Sequence, residues 1–301
     1  MNPFRIPGKI FRSAGEEASA CDVKPDTAQT LSPTYELAFA DKEFLLREEL
    51  RPVRLQLELL KPDLVMNEHE IGSTIVVFGG ARVHEREKAL AQEQQAEAAF
   101  AQSPQDRELE KALQRARRAV EMSHYYEEAR KFGNMITREQ QMDAGCHLHI
   151  VTGGGPGIME AANRGASEAG GESIGLNIML PFEQCPNAYI TPELCFQFHY
   201  FAIRKMHFLM RARALLACPG GFGTLDELFE TLTLVQTGKI KRLPILLMGE
   251  KFWRELINFD QLVDYGLISV SDMRLFTFVE NAEQALEQIK LFYEAEGEVC
   301  I

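Results

Sequence analysis

Between Cys218 and Glu227 the chain reads Cys-Pro-Gly-Gly-Phe-Gly-Thr-Leu-Asp-Glu, placing Gly220, Gly221, Gly223, a hydroxyl and a carboxylate in one short stretch. The apolar run Ala214 to Cys218 enters this turn, and Thr224 has the chemistry to cap a helix leaving it. The first N–H groups of a helix lack carbonyl partners and sit at the positive end of its dipole, so such a corner is a seat for a phosphate. Glu227 follows within the first turn of the expected helix. A carboxylate beside an anion seat describes a nucleotide site able to do chemistry. Thr224-Leu-Asp-Glu227 also fits the capping box, in which the glutamate bonds back to the cap residue. Spacing alone does not separate the two roles.

A second turn, Thr152-Gly-Gly-Gly-Pro-Gly157-Ile-Met-Glu160, contains Gly153, Gly154, Gly155 and Gly157. It departs from the dinucleotide fingerprint, because the third glycine position falls on Ile158 and the acid about 20 residues on, Glu172, precedes the next strand. Neither turn has the Gly-Lys-Ser/Thr ending of a P-loop. Tight strand-to-helix packing would explain one such turn. Two at equivalent ends of parallel strands favour an anion site. Arg204 and Lys205 lie on an apolar helix among Tyr200, Phe201, Ile203, Met206 and Phe208, and charges there need partners. An anionic substrate or Glu227 would serve.

Other chemistries find less support. His147 and His149 share one face of a strand without a third ligand at metal spacing, so a core or edge role is expected and no metal is implied. There is no Gly-x-Ser-x-Gly elbow for acyl transfer. The six cysteines form no Cys-x-x-Cys pair and several lie in apolar runs, as buried thiols in a reducing compartment do. A formal charge of −12 argues against nucleic-acid or anionic-membrane partners, and requires any anionic ligand to be held by a local device. No stretch is long and apolar enough to span a bilayer, and residues 1–33 lack the apolar core of a signal peptide. A cytoplasmic protein is expected.

The elements that must position these residues follow from the hydrophobic pattern. Residues 1–31 read as a polar arm, Ser32-Pro33 as a helix start, and Phe39 to Leu60 as helix interrupted at Pro52. Ser73 to Phe78 is a buried strand running into Gly79-Gly80. About 84–122 the sequence is rich in Ala, Glu, Gln, Lys and Arg and broken at Ser103-Pro104, which describes an inserted helical hairpin. Strands are then expected at His147–Thr152, Ile174–Met179, Ala214–Cys218, Leu243–Met248 and Leu275–Val279. Helices are expected at Ile158–Glu168, Tyr200–Arg211, Thr224–Gln236, Phe252–Tyr265 and Ala282–Tyr293. Apolar strands alternating with helices predict an α/β fold: a Rossmann-like doubly wound parallel sheet over 73–301, with an N-terminal helical extension over 1–72 and the inserted hairpin. Ligands of such sheets bind at the carboxyl ends of the strands, where the glycine turns lie.

Taken together, Gly153-Gly-Gly-Pro-Gly157-Ile-Met159, Pro219-Gly-Gly-Phe-Gly-Thr-Leu-Asp-Glu227 and the upstream Arg204-Lys205 resemble the LONELY GUY family of cytokinin riboside 5′-monophosphate phosphoribohydrolases, often mislabelled lysine decarboxylases. The resemblance covers roughly residues 73–295. It implies hydrolysis of a purine nucleoside 5′-monophosphate, AMP-like or cytokinin, to free base and ribose 5-phosphate, without a cofactor. It assigns phosphate and ribose binding to the glycine motifs, including Thr224 and Met159, and catalysis to Glu227 assisted by Arg204; the adjacent Lys205 is counted among the substrate-binding residues. It also implies a homodimer or larger homo-oligomer. The first strand ends in Gly79-Gly80-Ala-Arg82 where compact members often have Gly-Ser, and Gly80 is included in the site. Glu183 and Asn187, on the loop after the third expected strand, are candidate base readers or ordinary loop polars. The competing reading is a nucleotide or molybdenum-cofactor carrier that uses the same phosphate seats without turnover.

Overall fold

The computed structural model describes residues 13–20, 25–142, 148–181 and 185–297. The chain forms two compact units, Met1–Leu57 and Glu58–Ile301. The first contains α1 (Ala14–Ala20), α2 (Lys42–Leu45) and the start of α3 (Arg51–Glu68). The helix expected at Ser32-Pro33 is only a 3-10 turn, Pro33–Tyr35, because the Ser32 hydroxyl bonds Thr34 Oγ1 and caps nothing. Asp41 does cap α2, accepting from Phe44 N at 2.8 Å. Pro52 does not interrupt a helix but is the second residue of α3, where a missing N–H costs nothing.

The second unit holds β1 (Ser73–Phe78), α4 (Arg86–Gln102), α5 (Arg107–Met142), β2 (Leu148–Thr152), α6 (Ile158–Glu168), β3 (Ser173–Ile178), β4 (Cys195–Phe198), α7 (Phe201–Met210), β5 (Ala212–Ala217), α8 (Phe222–Gln236), β6 (Ile245–Met248), α9 (Glu250–Leu256), α10 (Phe259–Asp264), β7 (Thr277–Val279) and α11 (Ala282–Ala295). Its seven parallel strands lie in the order β4-β3-β2-β1-β5-β6-β7. The chain winds outward from β1 to β4, then returns to place β5 on the other side of β1. The switch point between β1 and β5 is where a doubly wound sheet opens its ligand crevice.

Both faces of the sheet are covered. One packs Ile75, Val77, Ile150 and Leu216 against α5, α6 and α11 through Phe132, Ala162 and Ile289. The other packs Val76, Phe78, Leu215 and Leu247 against α3, α7, α8 and α9 through Met66, Phe208, Leu228 and Trp253. Burial on both sides explains why the strands read as continuous apolar runs rather than alternating ones. Helices α5 and α6 cross closely: a Cβ on Gly165 would overlap Arg130 O, and one on Gly133 would overlap Ala162 O. The hairpin forms as expected, and its second helix continues into the core through Tyr126, Ala129, Phe132 and Ile136.

Three further expectations are corrected. The loop before α7 contains an additional strand, β4, which the four residues Cys-Phe-Gln-Phe form at the sheet edge. The single helix expected at Phe252–Tyr265 is two, because Ile257 is extended and the Asn258 side chain caps α10 by accepting from Gln261 N. Helix α8 starts two residues earlier than expected, at Phe222, with Gly221 in the cap position. No helix among the described residues is long and apolar enough to cross a membrane.

Candidate active site

The three glycine turns that leave β1, β2 and β5 are stitched together through one residue. Gly80 N–H donates to Pro219 O at 2.9 Å, and Gly80 O accepts from Ile158 N at 3.2 Å. Gly157 makes this contact possible: its φ is +75°, and a Cβ there would overlap Gly80 O. Beside the switch point they form a cavity of about 350 Å³. Its rim is backbone at Gly80, Gly153, Gly155, Gly221 and Gly223, and its wall includes Met159 and Thr224. Gly221 and Gly223 face open space, with no atom within 4 Å of where a Cβ would stand. The start of α8 therefore presents bare backbone to the cavity, as an anion seat requires.

Thr224 does not cap α8. It is the third helical residue, its N–H donates to Gly221 O at 3.0 Å, and its side chain packs against Gly220. The capping-box explanation of Glu227 fails with it, since the residue Glu227 would bond back to is already inside the helix. The Glu227 side chain instead lines the cavity while its residue is only 6 % exposed. Burial pushes its carboxyl up to about 7; Lys205 and Arg204 pull it down, and Glu230 and Asp226 add to the rise. A carboxyl titrating near neutrality inside a cleft is suited to proton transfer.

Arg204 enters the same cavity from α7. Its guanidinium lies 5.0 Å from the Phe201 ring centre and 5.5 Å from that of Phe208. Burial lowers its pKa, opposed by Glu227 and Asp226; an arginine remains charged at neutral pH regardless. Arg204 Nη2 is 3.8 Å from Glu227 Oε1, too far for a hydrogen bond, and Arg204 Nε is buried with no hydrogen-bond partner. A buried guanidinium with a donor to spare is a binding site for an anion, which accepts from it.

Not every expected residue reaches the cavity. Lys205, adjacent to Arg204, points elsewhere and binds Asp226 and Glu230, each at 2.9 Å. Asn187 does not face the cavity: its amide donates to Gly154 O at 3.2 Å, Gly155 O at 3.1 Å and Asn163 Oδ1 at 3.0 Å, so it braces the β2 turn. That brace continues inward, Thr152 Oγ1 donating to Asn163 Oδ1 and Asn163 Nδ2 to Ser173 Oγ. Gly154 (φ +74°), Gly157 and Gly220 shape the turns rather than line the space. Glu183 and His147 lie outside the described residues. His149 is buried, with Nε2 3.3 Å from the Gln140 amide, and no His/Cys/Asp/Glu cluster among the described residues suits a metal.

Sequence reasoning missed Asn177, Ile178 and Leu180 on and after β3, which form one wall. A lone Asn in the run Ile174–Ile178 was the readable signal for them. Phe201 and Phe208 complete the apolar side.

The family model described as possible lysine decarboxylase matches residues 159–289. An Arabidopsis thaliana cytokinin riboside 5′-monophosphate phosphoribohydrolase is 30% identical over 170 residues, covering 55% of this chain and 74% of the relative. Another from the same plant is 31% identical over 150 residues, covering 48% and 68%. A probable enzyme of that name from Oryza sativa subsp. japonica is 29% identical over 156 residues, covering 48% and 68%. Among solved structures, a molybdenum cofactor binding protein from Rippkaea orientalis aligns with a TM-score of 0.45 and 17% identity, over 73% of this chain and 96% of that one. With two of these plant enzymes at least 30% identical and covered over more than two thirds of their length, the chain belongs to the LONELY GUY family, that of the cytokinin riboside 5′-monophosphate phosphoribohydrolases.

Proposed function

We propose that the protein hydrolyses the N-glycosidic bond of a purine nucleoside 5′-monophosphate, releasing the free base and ribose 5-phosphate. The observation that carries this reading is the pairing of Glu227 and Arg204 in a cavity rimmed by the backbone that opens α8. The N–H groups at the start of α8 take the 5′-phosphate, an arrangement that needs no net positive charge. Arg204 supplies the charged partner, its unbonded Nε donating to the phosphate or the ribose. Met159, Ile178, Leu180 and Phe201 offer the planar base an apolar wall.

In the reaction the bond from the anomeric carbon to the base nitrogen breaks. Its electron pair leaves with the base, which takes up a proton, and positive charge develops on the sugar. The Glu227 carboxylate stabilises that charge and accepts the proton of the attacking water, whose oxygen bonds the anomeric carbon. Near pH 7 burial leaves Glu227 partly protonated, so the same group takes the proton from water and passes one to the departing base nitrogen, which balances the hydrolysis. A well-placed base contributes roughly 10²–10⁴-fold.

Incubation of purified protein with AMP, GMP, CMP and a cytokinin riboside monophosphate, followed by chromatography of free base, tests this. Base release from the purine nucleotides, lost in E227Q, is the expected result. Nucleotide-dependent thermal stabilisation without any free base would replace hydrolysis by carriage, and neither response would leave the turns with packing alone. The same reading includes a cytoplasmic homo-oligomer; the exposed side chains Met206, Met210, Phe222 and Phe229 on α7 and α8 are where a second copy would bury apolar surface.

A further inference from the structure

The first three turns of α8 carry three carboxylates, Asp226, Glu227 and Glu230, and α7 opposes them with two cations, Arg204 and Lys205. Successive residues of a helix point about 100° apart, and the two pairs of elements divide accordingly. Arg204 and Glu227 face the cavity. Lys205, Asp226 and Glu230 face the outer groove between the helices, where Lys205 Nζ sits 2.9 Å from both carboxylates. The Lys205 side chain is only 17% exposed, so this is a half-covered three-membered cluster rather than a loose surface pair.

We propose that Lys205 is a positioning residue: by binding Asp226 and Glu230 together it holds α8 to α7 and masks those two carboxylates from Glu227, setting the ionisation of the group that the hydrolytic reading places in the chemistry. This deepens that reading and moves Lys205 out of the substrate contacts. The charge arithmetic is simple. Around Glu227 stand two cations and two other carboxylates, a balanced set. The described residues lining the remaining walls of the cavity, on β1, β3 and the glycine turns, are not titratable. Removing Lys205 leaves two carboxylates against one arginine, and a like charge nearby disfavours ionisation of Glu227. Burial lowers the Lys205 pKa, but ion pairing with Asp226 and Glu230 outweighs it and the net shift is upward, so Lys205 stays charged throughout the range in which Glu227 titrates. Lys205 also heads the influences that pull Glu227 down.

The experiment compares wild type, K205M, K205R, D226N/E230Q and K205M/D226N/E230Q. In each, unfolding free energy is measured against pH beside the same variant carrying E227Q, and the difference isolates the titration of Glu227. Its midpoint is expected to rise by roughly one pH unit in K205M, stay in place in K205R, fall in D226N/E230Q, and return toward wild type in the triple variant. The pH limb of base release should move in parallel. A folded K205M with lower stability and an unmoved midpoint would overturn the proposal, since a purely structural clamp loses stability without moving a titration. If K205M does not fold, a D226N/E230Q midpoint at or above that of wild type overturns it equally. The unfolding measurement needs no turnover. Movement of the midpoint in a protein without hydrolase activity would therefore support the role of Lys205 while rejecting the hydrolytic reading.

Discussion

Replacing Glu227 by glutamine should make the protein more stable at alkaline pH, and the size of the gain follows from the site. Glutamine copies the protonated carboxyl in shape and charge. Folding raises the Glu227 pKa from an ordinary 4.5 to about 7, chiefly through burial. Between those values the folded chain retains a proton that the unfolded chain has released, so stability falls as pH rises through the window and is level above it. At about 1.36 kcal/mol per pH unit the interval amounts to about 3 kcal/mol. E227Q should therefore match wild type near pH 4.5 and exceed it by about 3 kcal/mol at pH 8. Attraction to Arg204 is already contained in the shifted value. Denaturant unfolding of both proteins from pH 4.5 to 8 measures this, and titrations common to the two cancel in the difference. A difference that stays constant across that range would refute the reasoning, because it would mean Glu227 ionises in the fold as it does in water. The same variant should bind AMP while base release falls at least 100-fold, as expected for loss of a positioned base.

Other substitutions probe the remaining parts of the site. G221D should fold normally, since φ at Gly221 is −94° and a Cβ meets nothing within 4 Å, yet raise KM for AMP at least tenfold by setting a carboxylate against the phosphate; equal KM would move the phosphate seat away from α8. R204M should lower kcat/KM by roughly 100-fold or more through loss of a charge-assisted contact of about 3 kcal/mol; retention of activity would remove Arg204 from the site. G157A combines a positive φ with overlap on Gly80 O and should cost about 2–3 kcal/mol in denaturant unfolding; a neutral result would mean the β1 and β2 turns are not locked together. F222D, at a side chain that is 91% exposed, should leave the monomer folded and shift sedimentation toward it; an unchanged sedimentation coefficient would exclude that surface from the contact.

The strand and helix alternation of the α/β unit is legible in the residues alone, because strands buried on both faces must be continuously apolar and β1, β2, β5 and β6 run into glycine where the backbone turns sharply. The residues also set the chemistry of the turns and point to Glu227 and Arg204, since a carboxylate just inside a glycine-headed helix and a charge on an apolar helix are local signals. The short strand β4 escaped notice because four residues at a sheet edge carry too little pattern, and their pairing with β3 is made by a neighbour twenty residues away. Which charges meet is set by how the helices pack. Arg204 and Lys205 are adjacent and similar in chemistry, and it is the packing of α7 against α8 that turns one into the cavity and the other onto Asp226 and Glu230. The same holds for Thr224, read locally as a cap but carried inside α8 because the helix begins at Phe222. Convergence of the three turns rests on Gly80, two of whose backbone bonds join it to segments about 80 and 140 residues away in the chain. No local pattern encodes those bonds; the winding of the sheet about its switch point does.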